Sequence, residues 1–348
     1  MESSAERPIL AVDLGGTQIR AALVTPDRTV HYRRATPTAD EEGVEAVIGR
    51  IIEVAAAVRS EAASEGLPEP VGVGISCPGP LDPWRGVVLV APNLAGWHNI
   101  PLVAPVAEAL GLPTFLERDT NVAVMAEWRY GAAVGTRSAI YITVSTGIGG
   151  GIIIDGRPLI GPDGTAGEVG HMTVEIDGPR CGCGGIGHVE AIASGTALAR
   201  EARAMLSRST DTPLGRLAAS GAAVDAALVA RAAELGDPEC IALLERAWVA
   251  IGAVCATLVN LLDPEVIVIG GSIAEHHPRL FEVARFELER RAFPILLEGV
   301  RIEPVALGGD VSLIGSLPIV NDRIGDPAYA AGSQPPPWAA PQQGAPRS

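Results

Sequence analysis

The chain has 348 residues, with 41 Asp or Glu against 26 Lys or Arg, for a net charge of −15. None of the 26 basic residues is lysine, which excludes a Schiff-base enzyme, a P-loop NTPase and a protein kinase, since each needs a lysine amine at a fixed place. The acidic total also argues against nucleic acid, whose phosphates call for clustered positive charge, and against anionic membranes.

Hydrophobic residues make up 47% and charged residues 19%, which is ample for a packed core, and the length suits about two domains. Residues 1–8 are polar and acidic and read as a flexible N-terminus, without the basic start and apolar stretch of a signal peptide. The longest uncharged helical run, 247–262, is shorter than the roughly 20 apolar residues that span a bilayer. A cytoplasmic protein with no membrane partner is expected. An odd number of cysteines disfavours a disulfide framework. Cys77, Cys240 and Cys255 are scattered and read as small buried hydrophobes, whereas Cys181 and Cys183 stand together as C-G-C.

In chain order, 9–24 reads as two apolar strands around a Gly15-Gly16-Thr17 turn, a hairpin. Residues 42–63 carry Val44, Val47, Ile48, Ile51, Ile52, Ala55 and Val58 at helical spacing. A buried strand is expected at 71–76, a helix at 102–110 and a short strand at 113–116. A polar cluster at 117–121 follows, then a helix from about 122 to 130. The second half opens as the first does, with a strand at 138–145, a T-G-I-G-G-G turn and a strand at 152–154. Two strand–glycine turn–strand openings are what a duplicated α/β domain would produce. Helices are expected between 196 and 260, and a buried strand at 265–269 runs into Gly270-Gly271. From residue 325 the chain is rich in Pro, Ala and Gln and is read as a disordered tail.

Four glycine turns each follow a strand: 13–17, 78–80, 146–151 and 270–272. Glycine lets backbone N–H groups approach an anion. Without lysine, phosphates would be held by such amides, by Thr hydroxyls and by a metal ion, for which Asp13 is the natural Mg²⁺ ligand. Any one of these turns alone reads as a tight structural turn; the four at strand ends, two of them pairing Gly with Thr, point to phosphate binding. Asp119, between a strand and a helix, suits a base that takes the proton of an attacking hydroxyl; spacing alone favours a helix N-cap. His171, Cys181, Cys183 and His188 offer two thiolates and two imidazoles, a donor set for tetrahedral Zn²⁺, though two free cysteines in a glycine loop fit as well. Glu168 and Glu190 beside them are paired acceptors for sugar hydroxyls, or ordinary surface acids.

Taken together, these motifs resemble the ROK sugar kinases, most of all the bacterial ROK glucokinases. The resemblance runs from about residue 9 to 320. It is carried by D-L-G-G-T at Asp13, C-P-G-P at Cys77, P-N-L-A-G-W at Pro92, D-T-N at Asp119, S-T-G-I-G-G-G at Ser145, G-E-V-G-H at Gly167, C-G-C-G-G-I-G-H-V-E at Cys181 and N-L-L-D-P-E-V-I-V-I-G-G at Asn260.

The resemblance implies an actin-like ATPase (ribonuclease H-like) fold of two α/β domains around a cleft. The small domain would span 9–121, completed by a C-terminal helix near 311–324. The large domain would span 122–310 with a zinc loop at 171–190, and 325–348 would be the tail. It makes Asp119 the catalytic base and places Gly79, Asn93, Glu168, His171 and Glu190 at a hexose. Asp13, Gly15, Gly16, Thr17, Thr146, Gly147 and Gly149 would hold the phosphates of ATP with Mg²⁺, and Gly270 and Gly271 would lie near the adenosine. A structural Zn²⁺ would sit on His171, Cys181, Cys183 and His188, ordering the loop that carries a sugar-binding Glu.

The implied activity is ATP-dependent phosphorylation of glucose to glucose 6-phosphate by a homodimer or homotetramer. Alternatives are another hexose (fructose, mannose, N-acetylglucosamine or N-acetylmannosamine), polyphosphate as donor, or a sugar-sensing repressor. Repressors carry a helix-turn-helix domain ahead of the first phosphate motif, and 12 residues precede Asp13 here, so an enzyme is expected. Three departures stand out: His188 replaces a family Cys, Arg118 replaces an Asn that contacts sugar, and Ser145 replaces a common Gly.

Overall fold

The computed structural model describes residues 7–91 and 93–329. Pro92 of the P-N-L-A-G-W motif, residues 1–6 of the expected flexible end and 330–348 of the expected tail lie outside the described residues. The chain divides into two compact units. One takes in the described residues of Met1–Gly131, Pro158–Ala166 and Leu307–Ser348; the other takes in Ala132–Arg157 and Gly167–Ala306.

Unit 1 begins with strands β1 (Ile9–Leu14), β2 (Gln18–Val24) and β3 (Val30–Pro37), then helix α1 (Val44–Ser64) and β4 (Val73–Cys77). Three short strands, β5 (Leu81–Asp82), β6 (Val87–Val90) and β7 (His98–Pro101), form a small sheet of their own. Helix α2 (Val103–Leu110), β8 (Thr114–Arg118) and α3 (Asp119–Tyr130) follow. The main sheet has the order β3-β2-β1-β4-β8. Its first pairings are antiparallel hairpins, while β1–β4 and β4–β8 are parallel.

Unit 2 contains β9 (Ala139–Val144), β10 (Ile148–Ile154), β11 (Arg157–Pro158), helices α4 (Glu190–Ala193), α5 (Gly195–Arg208), α6 (Pro213–Ala219), α7 (Ala226–Glu234) and α8 (Pro238–Leu262), then β12 (Val266–Gly270), α9 (Pro278–Arg291) and β13 (Arg301–Pro304). Its sheet has the order β11-β10-β9-β12-β13, strand for strand the plan of unit 1. The duplication hinted at by two glycine turns therefore extends over five strands. Helix α10 (Val311–Arg323) then returns to unit 1.

Packing explains where the division falls. α10 lies on α3 so closely that a Cβ at Gly315 would come within 2.2 Å of the Val122 carbonyl oxygen, and one at Gly74 of β4 within 2.8 Å of Ser316 Cβ. Helix α3 is thus held in unit 1, and the boundary expected between 121 and 122 lies after Gly131. Residues 158–166 also pack with unit 1, as do residues 307–310, all of which had been placed in the large domain. On the other face, α1 buries Val47, Ile51 and Val58 against Leu10, Val12 and Ile75 of the sheet. The tail expected to be disordered from 325 is ordered over its first residues, where Pro327–Tyr329 makes a 3-10 turn. At the other end Pro8, expected to be flexible, is buried, and its carbonyl accepts Val71 N–H at 3.0 Å.

Helix α8 starts nine residues earlier than the uncharged run suggested, and by length and composition it is long enough to cross a membrane. Its apolar faces instead form the centre of unit 2, with Trp248, Ile251, Cys255 and Val259 buried against Ile267, Ile269 and Leu280.

Candidate active site

In unit 1 the expected residues gather at the carboxyl ends of β1, β4 and β8, where open parallel sheets bind ligands. Register sets them side by side: Asp13 pairs with Ser76, and Cys77 with Arg118, next to Asp119. Cys77 is fully buried; burial pushes its thiol well above the usual range, with the charges of Asp119 and Asp13 adding to the effect.

The first glycine turn is tied down from several sides. Gly15 N–H donates to the Gln18 carbonyl at 3.0 Å, and the Thr38 hydroxyl donates to the Gly15 carbonyl at 2.7 Å. A Cβ on Gly16 would stand 3.0 Å from the Asn93 carbonyl oxygen, so the absence of a side chain lets the turn meet the segment of Asn93. Thr17 is exposed at the tip.

Asp13 has a partner that sequence reading missed. Arg20 donates to its Oδ2 from Nε at 3.0 Å and from a terminal nitrogen at 2.7 Å. The β1–β2 register sets Asp13 opposite Arg20.

Asp119 is half-buried and is the first residue of α3 rather than its N-cap, a place taken by Arg118. Its Oδ1 accepts Thr120 N–H at 2.7 Å. The polar cluster at 117–121 turned out to be two elements: Glu117 and Arg118 lie in β8, 1% and 4% exposed. The Arg118 stem passes Gly79, whose added Cβ would meet Arg118 Cδ at 3.1 Å, and its guanidinium donates to the Ala166 carbonyl at 2.5 Å.

In unit 2 the expected residues gather around the β9–β10 turn. The Ser145 and Thr146 carbonyls accept the N–H groups of Gly195 and Thr196 at the start of α5, at 2.8 and 3.1 Å. The Ser145 hydroxyl lies 3.0 Å from that of Ser272, which brings the turn of Thr146, Gly147 and Gly149 beside Gly270-Gly271. Ser272 closes the glycine turn expected at 270–272, and Gly271, at φ +94°, turns the chain toward it.

Glu190 joins this turn to the cysteines. Its Oε2 accepts Ile148 N–H at 3.0 Å and sits where a Gly147 side chain would be, while its Oε1 lies 3.6 Å from Cys181 Sγ. Cys181 in turn lies 3.8 Å from His171 Nδ1, and Cys183 lies 3.3 Å from His188 Nδ1. The ligand atoms of His171, Cys181, Cys183 and His188 all fall within 4.8 Å of one another. A tetrahedron with zinc bonds of about 2.0–2.3 Å needs separations of roughly 3.3–3.8 Å, so the four fit one ion after small adjustments. Burial pushes the Cys181 thiol up to about 11, so metal binding would have to displace its proton. Glu168 is exposed, just ahead of the 3-10 turn Val169–His171. That turn packs on β10 so tightly that a Gly170 Cβ would reach within 2.0 Å of the Ile148 carbonyl.

Residues 9–323 match the ROK family. A glucokinase from Thermotoga maritima is 34% identical over 317 residues, covering 91% of this chain and 98% of that protein.

The chain belongs to the ROK family.

An N-acetylmannosamine kinase from Citrobacter koseri is 32% identical over 277 residues, 80% of this chain and 87% of its own length. The solved structure of a ROK glucokinase from Streptomyces griseus, bound to glucose and AMPPNP, superposes with a TM-score of 0.72 at 31% identity, covering 90% of this chain and 98% of the other. The fold of the ROK chain is accordingly the actin-like ATPase fold, seen here as one strand order used twice.

Proposed function

We propose that this ROK protein is an ATP-dependent hexose kinase that converts glucose to glucose 6-phosphate in the cytoplasm, with Asp119 as general base. The observation that carries the reading is the placement of Asp119, beside Asp13 and Cys77 at the strand ends of unit 1, in a chain that aligns nearly end to end with glucokinases.

Asp119 accepts the proton of the sugar 6-hydroxyl as its oxygen attacks the γ-phosphorus, and ADP leaves. In phosphoryl transfer most of the catalysis is positioning and charge neutralisation. Here that work falls to glycine-turn amides and to Thr17 and Thr146, since no lysine exists to do it. Mg²⁺, bound with ATP, would neutralise the phosphates, and Asp13 is the residue to hold it. Asn93, Gly79, Glu168, His171 and Glu190 are the proposed sugar contacts. His171 turns Nδ1 toward Cys181, which leaves Nε2 for a sugar hydroxyl. A structural Zn²⁺ on His171, Cys181, Cys183 and His188 would fix that ring and the loop bearing Glu190. A homodimer or homotetramer belongs to the same reading.

N-acetylmannosamine is the second acceptor to consider, favoured by the Citrobacter koseri relative. A panel of hexoses with ATP and with polyphosphate, read by coupled ADP release and by sugar phosphate formed, decides among them. Glucose with ATP should give the highest kcat/KM; a preference for an N-acetylated sugar would reassign the acceptor.

A further inference from the structure

Glu117 and Arg323 form an ion pair whose side chains are 1% and 6% exposed, and neither residue is among the groups assigned above. A buried ion pair seldom stabilises a fold more than apolar residues of the same volume would, so this one calls for another explanation. Its geometry supplies one. The second oxygen of Glu117, Oε1, accepts Arg118 N–H at 2.9 Å and the Asn121 side-chain amide at 2.9 Å. One carboxylate thus grips the last residue of β8 and the first turn of α3, on either side of Asp119.

Arg323, in the last turn of α10, holds the same corner from the other side by donating to the Leu116 carbonyl at 3.0 Å. Over its guanidinium lies the Tyr329 ring, 4.4 Å away, a cation–π contact that strengthens when water is excluded. Tyr329 is fixed in turn by Phe115, edge to face at 6.4 Å, and by Trp84 and Ile160.

We propose that Glu117 and Arg323, covered by Tyr329, are positioning residues for Asp119, so that the end of α10 and the turn after it set the aim of the base. This rests on the reading of Asp119 as the base.

The test is steady-state kinetics and thermal melting of the full-length protein carrying Arg323→Met, Arg323→Lys, Glu117→Leu with Arg323→Met, Tyr329→Ala and, as reference, Asp119→Asn. Arg323→Met should lower kcat at least tenfold with KM for glucose and ATP within threefold, and Arg323→Lys should restore part of the loss. The double variant leaves no unpaired buried carboxylate, so it should regain Tm without regaining kcat. If Arg323→Met does not fold, the double variant and Tyr329→Ala, expected to lose about threefold in kcat, carry the test. A folded Arg323→Met with normal kcat, or a double variant whose kcat returns with its Tm, overturns the proposal alone. A fully active Asp119→Asn removes the base assignment, and the positioning role with it.

Discussion

Arg118 carries its charge into the interior of unit 1 on a stem laid against Gly79 and ends at the Ala166 carbonyl. Asn in its place would be too short to reach that carbonyl and would leave a void beside Gly79. Because the side chain ends on that carbonyl, Arg118→Asn should leave glucose kcat/KM within about tenfold of wild type, or about 1.4 kcal/mol; a larger change would place Arg118 in the sugar pocket. Kinetics at saturating ATP separate the two. What could be read at this scale was residue identity: Asp13, Asp119 and the His–Cys set declare their chemistry by type. What could not be read was partnership. Arg20 on Asp13 depends on hairpin register, and Arg323 on Glu117 depends on two segments 206 positions apart.

Among elements, the buried ones were legible and the edges were not. Helix α1 shows its core face in the spacing of Val47, Ile51 and Val58, whereas β3 is exposed or half-buried throughout, reads V-H-Y-R-R-A-T-P, and has no alternation to betray it. Strands β5 to β7 are short and broken by turns, so pairing rather than pattern defines them.

The metal loop makes its own prediction. Purified protein should hold about one zinc per chain by elemental analysis, and Cys183→Ser should reduce that content and weaken glucose binding. Because zinc bound at this loop would have to displace the Cys181 proton, any zinc retained should fall as the pH is lowered.

The joint of β9 and β12 offers a stability test. Glu265 accepts the N–H groups of Ser138 and Arg137, which hold its carboxyl below the ordinary value. Its stabilising effect is therefore complete above the unfolded pKa near 4.3 and is lost as the pH falls through the lower folded value. Glu265→Gln should lower Tm at pH 7, and the difference from wild type should shrink in acid.

At the scale of the whole chain, the two units repeat one five-strand order, and their glycine turns fall at equivalent places after β1 and β9, and after β4 and β12. Only the two opening turns announced this in sequence, because the later strands of each half are separated by helices of different number. The missing lysine belongs here too: in the proposed kinase, amides of these repeated turns would take the place of an amine at the phosphates.

The central claim is that a ROK hexose kinase uses Asp119 as its base. Turnover of Asp119→Asn, measured by ADP release beside glucose binding by calorimetry, tests it most directly. Glucose affinity near that of the wild type with kcat lower by orders of magnitude is the predicted result. Near-normal turnover would contradict the account.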